Sequence, residues 1–173
     1  MSFKKILCAA TVPDLSSNET RALPFAESGA TGMSTGLGTD SPSPLVLIVE
    51  DDLATRALYR DVLAVSGLRT IDAHNGHQAL EKARGERPNI VLTDLAVPGM
   101  DGFELCRALK QSPKLRDIPI LAVTGHAEYL GDPDRFRQAG IDQVLMKPCP
   151  LDLLVQEIWR LLRLPAPTSV HSH

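Results

Sequence analysis

The stretch NIVLTDLAVPGMDG, residues 89–102, combines an apolar run, an aspartate and a loop that contains proline and glycine. Residues 90–92 are apolar on both faces, which is typical of a parallel strand covered by helices on both sides. Helical spacing follows from residue 102 to residue 111, and Pro113 stands beyond the end of that helix. A strand followed by a loop and a helix is the unit from which α/β folds are built.

The same alternation continues along residues 45–164. Strands are predicted at residues 45–49, 68–73, 89–94, 118–124 and 143–146, and helices at residues 53–66, 76–84, 102–111, 133–139 and 151–164. Alternating strands and helices predict a parallel sheet with right-handed crossovers. We therefore expect an α/β fold with a doubly wound, five-stranded parallel sheet of the flavodoxin-like type, strand order 2-1-3-4-5, and five helices.

The chain divides by composition into three parts. In residues 1–44, glycine, proline, serine and threonine occupy 20 of the 44 positions, and no helical or strand period persists. We expect this N-terminal arm to be disordered or to dock on a partner. Residues 45–164 form the predicted domain, and residues 165–173 form a polar tail.

Composition excludes several classes of protein. A net charge of −3 does not suggest a strongly basic surface for nucleic acid, and no apolar run reaches the roughly 18 residues of a membrane span. Cys8, Cys106 and Cys149 cannot make a closed disulfide framework, so we interpret them as reduced thiols. The short apolar stretch in residues 1–12 is a poor export signal because Pro13-Asp14 interrupts it. A cytoplasmic location is expected.

Polar side chains follow the predicted strands at the sheet edge where chemistry gathers in such folds. Glu50 and Asp51 follow the first strand, Asp94 ends the third, Thr124 ends the fourth and Lys147 follows the fifth. Two carboxylates about 4 Å apart repel by on the order of 4 kcal/mol at an effective dielectric constant near 20, and a hard cation such as Mg²⁺ relieves this repulsion. A metal, a nucleophilic carboxylate, a hydroxyl and an ammonium are the components of phosphoryl transfer to an aspartate.

Four motifs together resemble the receiver domain of the two-component response regulators. They are residues 49–52 (VEDD), residues 93–102 (TDLAVPGMDG), residues 122–125 (AVTG) and the pair Lys147-Pro148. Each motif alone is weak, but all four occur in order and at strand ends. The resemblance covers about residues 45–164 and implies a stand-alone receiver with an N-terminal extension.

The resemblance implies a phosphoacceptor and a magnesium site. Asp94 matches the aspartate that accepts the phosphoryl group and that also contacts the metal. Glu50 and Asp51 match the acidic pair that holds Mg²⁺, with Asp51 as the direct ligand, and the backbone carbonyl of Ala96 matches the third protein ligand. Asp52 falls one place beyond the acidic pair, so it is left out of the predicted site.

The resemblance also implies a switch. Thr124 matches the hydroxyl that moves to the phosphoryl group, and Lys147 matches the lysine that pairs with that group. The family usually has a cis peptide before the proline that follows this lysine, here Pro148. Many members carry a tyrosine or phenylalanine where this chain has Val144, so switching uses Thr124 and loop motion alone, or output differs. Residues 126–133 are expected to form a mobile loop.

We expect a single-domain response regulator that accepts a phosphoryl group from a histidine kinase or a phosphotransfer protein. Only nine residues follow Leu164, so output by protein contact or onward phosphotransfer is expected, without direct DNA binding and without membrane binding. Homodimerisation stays open, and no enzyme activity is expected beyond the protein's own phosphorylation and dephosphorylation. A phosphorylation-independent adaptor of the same fold and a magnesium-dependent phosphatase or transferase acting on small molecules are the alternative interpretations.

Overall fold

The structure is a computed structural model that describes residues 42–165, apart from the side chains of residues 130 and 131. Most of the predicted arm and tail therefore lies outside the described residues. The described part contains a five-stranded sheet in which every neighbouring pair of strands is parallel, in the order β2-β1-β3-β4-β5. The predicted fold and strand order are confirmed.

Five strands and five helices alternate along residues 42–165. The strands are β1 (Leu45–Val49), β2 (Arg69–Ala73), β3 (Ile90–Thr93), β4 (Ile120–Thr124) and β5 (Gln143–Met146). The helices are α1 (Leu53–Val65), α2 (Gly76–Glu86), α3 (Gly102–Gln111), α4 (Pro133–Ala139) and α5 (Leu151–Leu162). A short 3-10 helix, Ala127–Gly131, occupies part of the segment that was predicted to be a mobile loop.

Three helix ends differ from the prediction, and the smallest difference is in α1, which ends one residue early at Val65. Helix α2 continues through Gly85 and ends at Glu86, and its C-cap residue Arg87 adopts a φ of 48°. A residue before proline is disfavoured in the α region, so Pro88 rather than the glycine ends this helix. Helix α5 ends two residues earlier than predicted, because Arg163 takes the left-handed conformation with a φ of 57°.

Three strands begin later than predicted, and two of the starts have a local cause. The amide of Leu68 donates to the carbonyl of Leu63 in the turn that closes α1, so β2 begins only at Arg69. Pro119 has no amide hydrogen to donate to a sheet, and β4 begins at Ile120. The strand before Asp94 is likewise shorter than expected, at residues 90–93.

Apolar side chains cover both faces of the sheet. One cluster joins the sheet to α2, α3 and α4, with Phe103 and Leu109 among its fully buried members. The other cluster joins the sheet to α1 and α5 through residues such as Leu63 and Ile158. All five residues of β1 are buried, as the apolar runs predict for central parallel strands. No helix formed by residues 42–165 has both the length and the apolar character required to cross a membrane.

Candidate functional site

The backbone hydrogen bonds of the sheet continue into the residues that follow the strands. The amide of Asp94 donates to the carbonyl of Val49 at 2.9 Å, and the amide of Lys147 donates to the carbonyl of Thr124 at 2.9 Å. The first bond holds the end of β3 beside the end of β1, and the second holds the end of β5 beside the end of β4. The side chains predicted from strand ends therefore start from one edge of the sheet.

Lys147 directly joins two of the predicted acids. Its Nζ lies 2.7 Å from Glu50 Oε2 and 2.6 Å from Asp94 Oδ2. The side chains of Glu50 and Asp94 are only 3% and 10% exposed, so these ion pairs are largely shielded from water. Charge-assisted hydrogen bonds of this length are stronger than neutral ones, particularly where water is excluded.

Burial and pairing change the protonation equilibria of this cluster. Burial raises the pKa of Glu50 above its ordinary value, although its hydrogen bond and ion pair with Lys147 partly offset that effect. Burial alone would lower the pKa of Lys147, but its hydrogen bonds to Asp94 and Glu50 outweigh this and raise it. Lys147 is therefore charged throughout the neutral range.

The loop after β3 holds the Asp94 side chain from the other side. Asp94 Oδ1 accepts a hydrogen bond from the amide of Ala96 at 2.9 Å. A Cβ at Gly102 would lie 2.6 Å from both the carbonyl oxygen of Asp94 and the Cα of Leu95. Only glycine lets the start of α3 approach this loop so closely, which explains why the TDLAVPGMDG stretch ends in this residue.

The two acids after Glu50 have different environments. Asp52 caps α1 by accepting a hydrogen bond from the amide of Thr55 at 2.7 Å, and this bond lowers the pKa of Asp52. Its exclusion from the predicted site has a structural reason, since the cap already uses its carboxylate. Asp51 is exposed, and within residues 42–165 no hydrogen bond or ion pair reaches its carboxylate. Among the described residues, the Asp51 carboxylate therefore has no protein partner at this edge of the sheet.

Thr124 is fully buried and is linked to the segment that follows β4. Its Oγ1 accepts a hydrogen bond from the amide of His126 at 3.2 Å. The His126 ring pairs with Glu128 at 2.8 Å and lies 5.2 Å from the ring of Tyr129. Val144, at the position where the family often has an aromatic residue, packs half-buried against the core. The sequence did not predict the contact between the rings of His126 and Tyr129, because it depends on the 3-10 helix that carries Tyr129.

The carboxylates at this edge of the sheet fit Mg²⁺ in their chemistry. Within residues 42–165, no three acidic, histidine or cysteine side chains are already arranged around a common metal position. Glu50 and Asp94 nevertheless both contact one cationic group, and their carboxylate oxygens are the hard ligands that Mg²⁺ prefers. Because Mg²⁺ usually takes one or two carboxylates and keeps several waters, this set fits the ion chemically.

Comparison with known proteins identifies the family. A family profile described as the response regulator receiver domain matches residues 46–159. This chain belongs to the response regulator receiver family. The polar-differentiation response regulator DivK of Brucella anthropi is 39% identical over 113 residues, which are 65% of this chain and 91% of DivK. Membership of two-component signalling follows from these matches.

Solved structures agree with this assignment. The chemotaxis response regulator CheY4 of Vibrio cholerae matches with a TM-score of 0.64 and 26% identity, over 69% of this chain and 98% of CheY4. The receiver domain of the sensor histidine kinase PA1611 of Pseudomonas aeruginosa matches with a TM-score of 0.64 and 28% identity, over 70% and 98% of the two chains. That receiver has a magnesium ion coordinated in its active site cleft.

The predicted site residues fall into two groups in the structure. Lys147 contacts both Glu50 and Asp94 directly, and Thr124 adjoins this group through the backbone of Lys147. Asp51 lies at the same edge, but its carboxylate does not join this contact. The predicted cis peptide between Lys147 and Pro148 is present.

Proposed function

We propose that this protein is a response regulator that accepts a phosphoryl group on Asp94 in a reaction that requires Mg²⁺. The donor is a phosphohistidine on a histidine kinase or a phosphotransfer protein. The observation that carries this proposal is the buried contact of Lys147 with Glu50 and Asp94 at the carboxyl edge of the sheet. A structural domain gains little from such a cluster, because desolvating charges offsets most of the attraction between them.

In the proposed reaction, an oxygen of Asp94 attacks the phosphorus of the phosphohistidine. The new O–P bond makes an acyl phosphate, the N–P bond breaks, and its electron pair returns to the histidine nitrogen. Glu50, Asp51, Asp94 and the carbonyl of Ala96 would hold Mg²⁺, which neutralises charge on the phosphoryl oxygens when bound. Lys147 already lies 2.6 Å from Asp94 Oδ2 and supplies a second positive charge.

The added phosphoryl group would change what Thr124 bonds to. It brings about −1.5 to −2 charges if it behaves like other protein phosphates. The Thr124 hydroxyl would donate to it and lose its present bond from the amide of His126, which starts the segment leading to α4. Output would follow by protein contact or by onward transfer of the phosphoryl group.

An exposed apolar patch on α1 supports a protein as the donor. Leu58 and Val65 are seven residues apart, share one face of α1 and are 47% and 91% exposed. Leu53, 71% exposed, lies at the start of the same helix, directly after the acidic loop. Exposed apolar side chains on a helix that begins beside a charged site are typical of a protein contact surface.

The test of the function is phosphorylation by acetyl phosphate with Mg²⁺, followed by intact-mass measurement. We expect a mass increase of one phosphoryl group in the wild-type protein and none in Asp94→Asn. Asp117→Asn, which changes an exposed aspartate before β4, is the matched control and should be modified like the wild type. An unmodified wild-type protein, with no spectral response to beryllofluoride, would instead favour the phosphorylation-independent adaptor.

A second assay tests the donor surface separately from the chemistry. The double variant Leu58→Ser/Val65→Ser should accept the phosphoryl group from acetyl phosphate at the wild-type rate. With purified histidine kinases as donors, the same variant should be phosphorylated at least several-fold more slowly. Equal rates with the protein donor would remove α1 from the proposed docking surface.

A further inference from the structure

Arg56 makes an unusual pair of contacts beside the acidic loop. Its Nη1 lies 2.5 Å from the carbonyl oxygen of Glu50 and 3.2 Å from the carbonyl oxygen of Asp51. Arg56 lies in the first turns of α1, and its guanidinium reaches back over the loop that precedes the helix. It bonds to the backbone carbonyls and not to the carboxylate of either acid.

The two carbonyls bracket the Cα of Asp51. The carbonyl of Glu50 belongs to the peptide plane before Asp51, and the carbonyl of Asp51 belongs to the plane after it. The orientations of these two planes are the φ and ψ angles of Asp51, and they determine where its Cβ points. One nitrogen of Arg56 therefore restrains both backbone dihedrals of Asp51.

The side chain of Asp51 has little else to orient it. It is exposed, and among the described residues its carboxylate has no hydrogen bond or ion pair. Glu50, in contrast, is held by Lys147, and Asp94 is held by Lys147 and by the amide of Ala96. The Asp51 carboxylate thus depends on its backbone for its direction far more than its two neighbours do.

We propose that Arg56 is a positioning residue that aims the carboxylate of Asp51 at the Mg²⁺ position and thereby sets the affinity for the metal. This inference rests on the proposed function, which makes Asp51 a ligand. Residues that orient metal ligands commonly change metal affinity by about 10- to 100-fold when they are substituted. We expect the lower end, about tenfold, because Glu50 and Asp94 keep their own supports.

Electrostatics alone predicts the opposite change in Mg²⁺ affinity when Arg56 is substituted. Removing a positive charge near a metal site lowers the repulsion of Mg²⁺ and would tighten its binding. Weaker binding in an Arg56 variant therefore indicates lost positioning rather than lost charge. Arg60→Met, one turn further along α1, is the matched control, since Arg60 pairs with Asp72 instead.

The experiment measures the Mg²⁺ dissociation constant by calorimetry for the wild type, Arg56→Met, Asp51→Asn and the double variant. We expect Arg56→Met to raise the constant about tenfold, Arg60→Met to leave it within twofold, and Arg56→Met to add nothing once Asp51 is asparagine. An unchanged constant in Arg56→Met, or an equal further loss in the Asp51→Asn background, would overturn the inference.

A second variant and a second measurement complete the test of Arg56. Arg56→Gln serves if circular dichroism shows that Arg56→Met does not fold. Phosphorylation by acetyl phosphate should need more Mg²⁺ in the Arg56 variant but reach the wild-type rate at saturation. A wild-type protein that binds no Mg²⁺ would refute the proposed function itself, whereas normal wild-type binding with an unaffected Arg56 variant would refute only the positioning role.

Discussion

Replacing Lys147 with methionine should destabilise the metal-free protein, and by an amount that depends on pH. Lys147 makes two charge-assisted hydrogen bonds, at 2.7 Å to Glu50 and 2.6 Å to Asp94. Its side chain is 26% exposed, so we assign each bond the lower value for a charged partner, about 1.5 kcal/mol. At pH 8 the expected loss in the free energy of unfolding is about 3 kcal/mol, the usual cost of breaking a buried ion pair.

The loss should become smaller in acid. Burial already raises the pKa of Glu50, and removing Lys147 takes away the two largest influences that lower it. A carboxyl whose pKa is raised on folding stabilises the folded state as the pH falls through that raised value. As the pH falls, Glu50 of the variant takes up a proton earlier than Glu50 of the wild type does, and the deficit should fall towards about 1.5 kcal/mol, the value of one such bond.

Urea unfolding at pH 8 and pH 5 without Mg²⁺ measures both values. Trp159 is the single tryptophan of the chain and is buried, so its fluorescence reports the transition. Arg160→Met, which breaks an exposed pair with Glu157, is the control and should cost at most about 1 kcal/mol at either pH. A Lys147→Met deficit under about 1 kcal/mol at pH 8, or one that is equal at both pH values, would refute the buried-cluster reasoning.

Three other substitutions or measurements test separate features. Asp52→Ala should lower the free energy of unfolding at pH 7 through loss of its cap on Thr55. Because folding lowers the pKa of Asp52, this difference should shrink as the pH falls through that lowered pKa, which acid titration of both proteins would detect. Gly102→Ala places a Cβ 2.6 Å from the carbonyl oxygen of Asp94, so both thermal stability and the rate of phosphorylation by acetyl phosphate should fall. Burial raises the pKa of Cys106 to about 12, so a thiol reagent should leave it unmodified in the folded protein and react with it in urea.

Local sequence signals were sufficient for most of the sheet. The apolar runs of β1 and β5 and the glycine at the start of α3 each lie within one short segment, and their predicted bounds are confirmed. The predicted end of α2 at residue 84 was wrong, because the helix continues through Gly85 and Pro88 acts through the conformation of Arg87. The sequence pattern alone does not indicate which of two possible stop residues, Gly85 or Pro88, ends the helix.

Non-local contacts account for what the sequence did not predict. The 3-10 helix Ala127–Gly131 carries Tyr129, whose ring packs edge-on against Phe103 at 5.3 Å, and no pattern within residues 126–133 indicates that partner. The identities of the candidate site residues followed from their places after strands. The reach of Arg56 to two carbonyls depends on side-chain geometry, which residue spacing does not determine.

The contacts around Thr124 indicate how a signal would leave the site without an aromatic residue on β5. A phosphoryl group on Asp94 would add negative charge where one ammonium already serves two carboxylates, so we expect Lys147 and the Thr124 hydroxyl to reorient towards it. Thr124 would then release the amide of His126, whose carbonyl accepts the amide of Tyr129. Arg135 of α4 lies over the rings of both Tyr129 and Phe103, at 5.1 and 4.0 Å from their centroids. Because these contacts are continuous from the hydroxyl to α4, we expect motion of this segment to reach α4 without an aromatic residue in place of Val144.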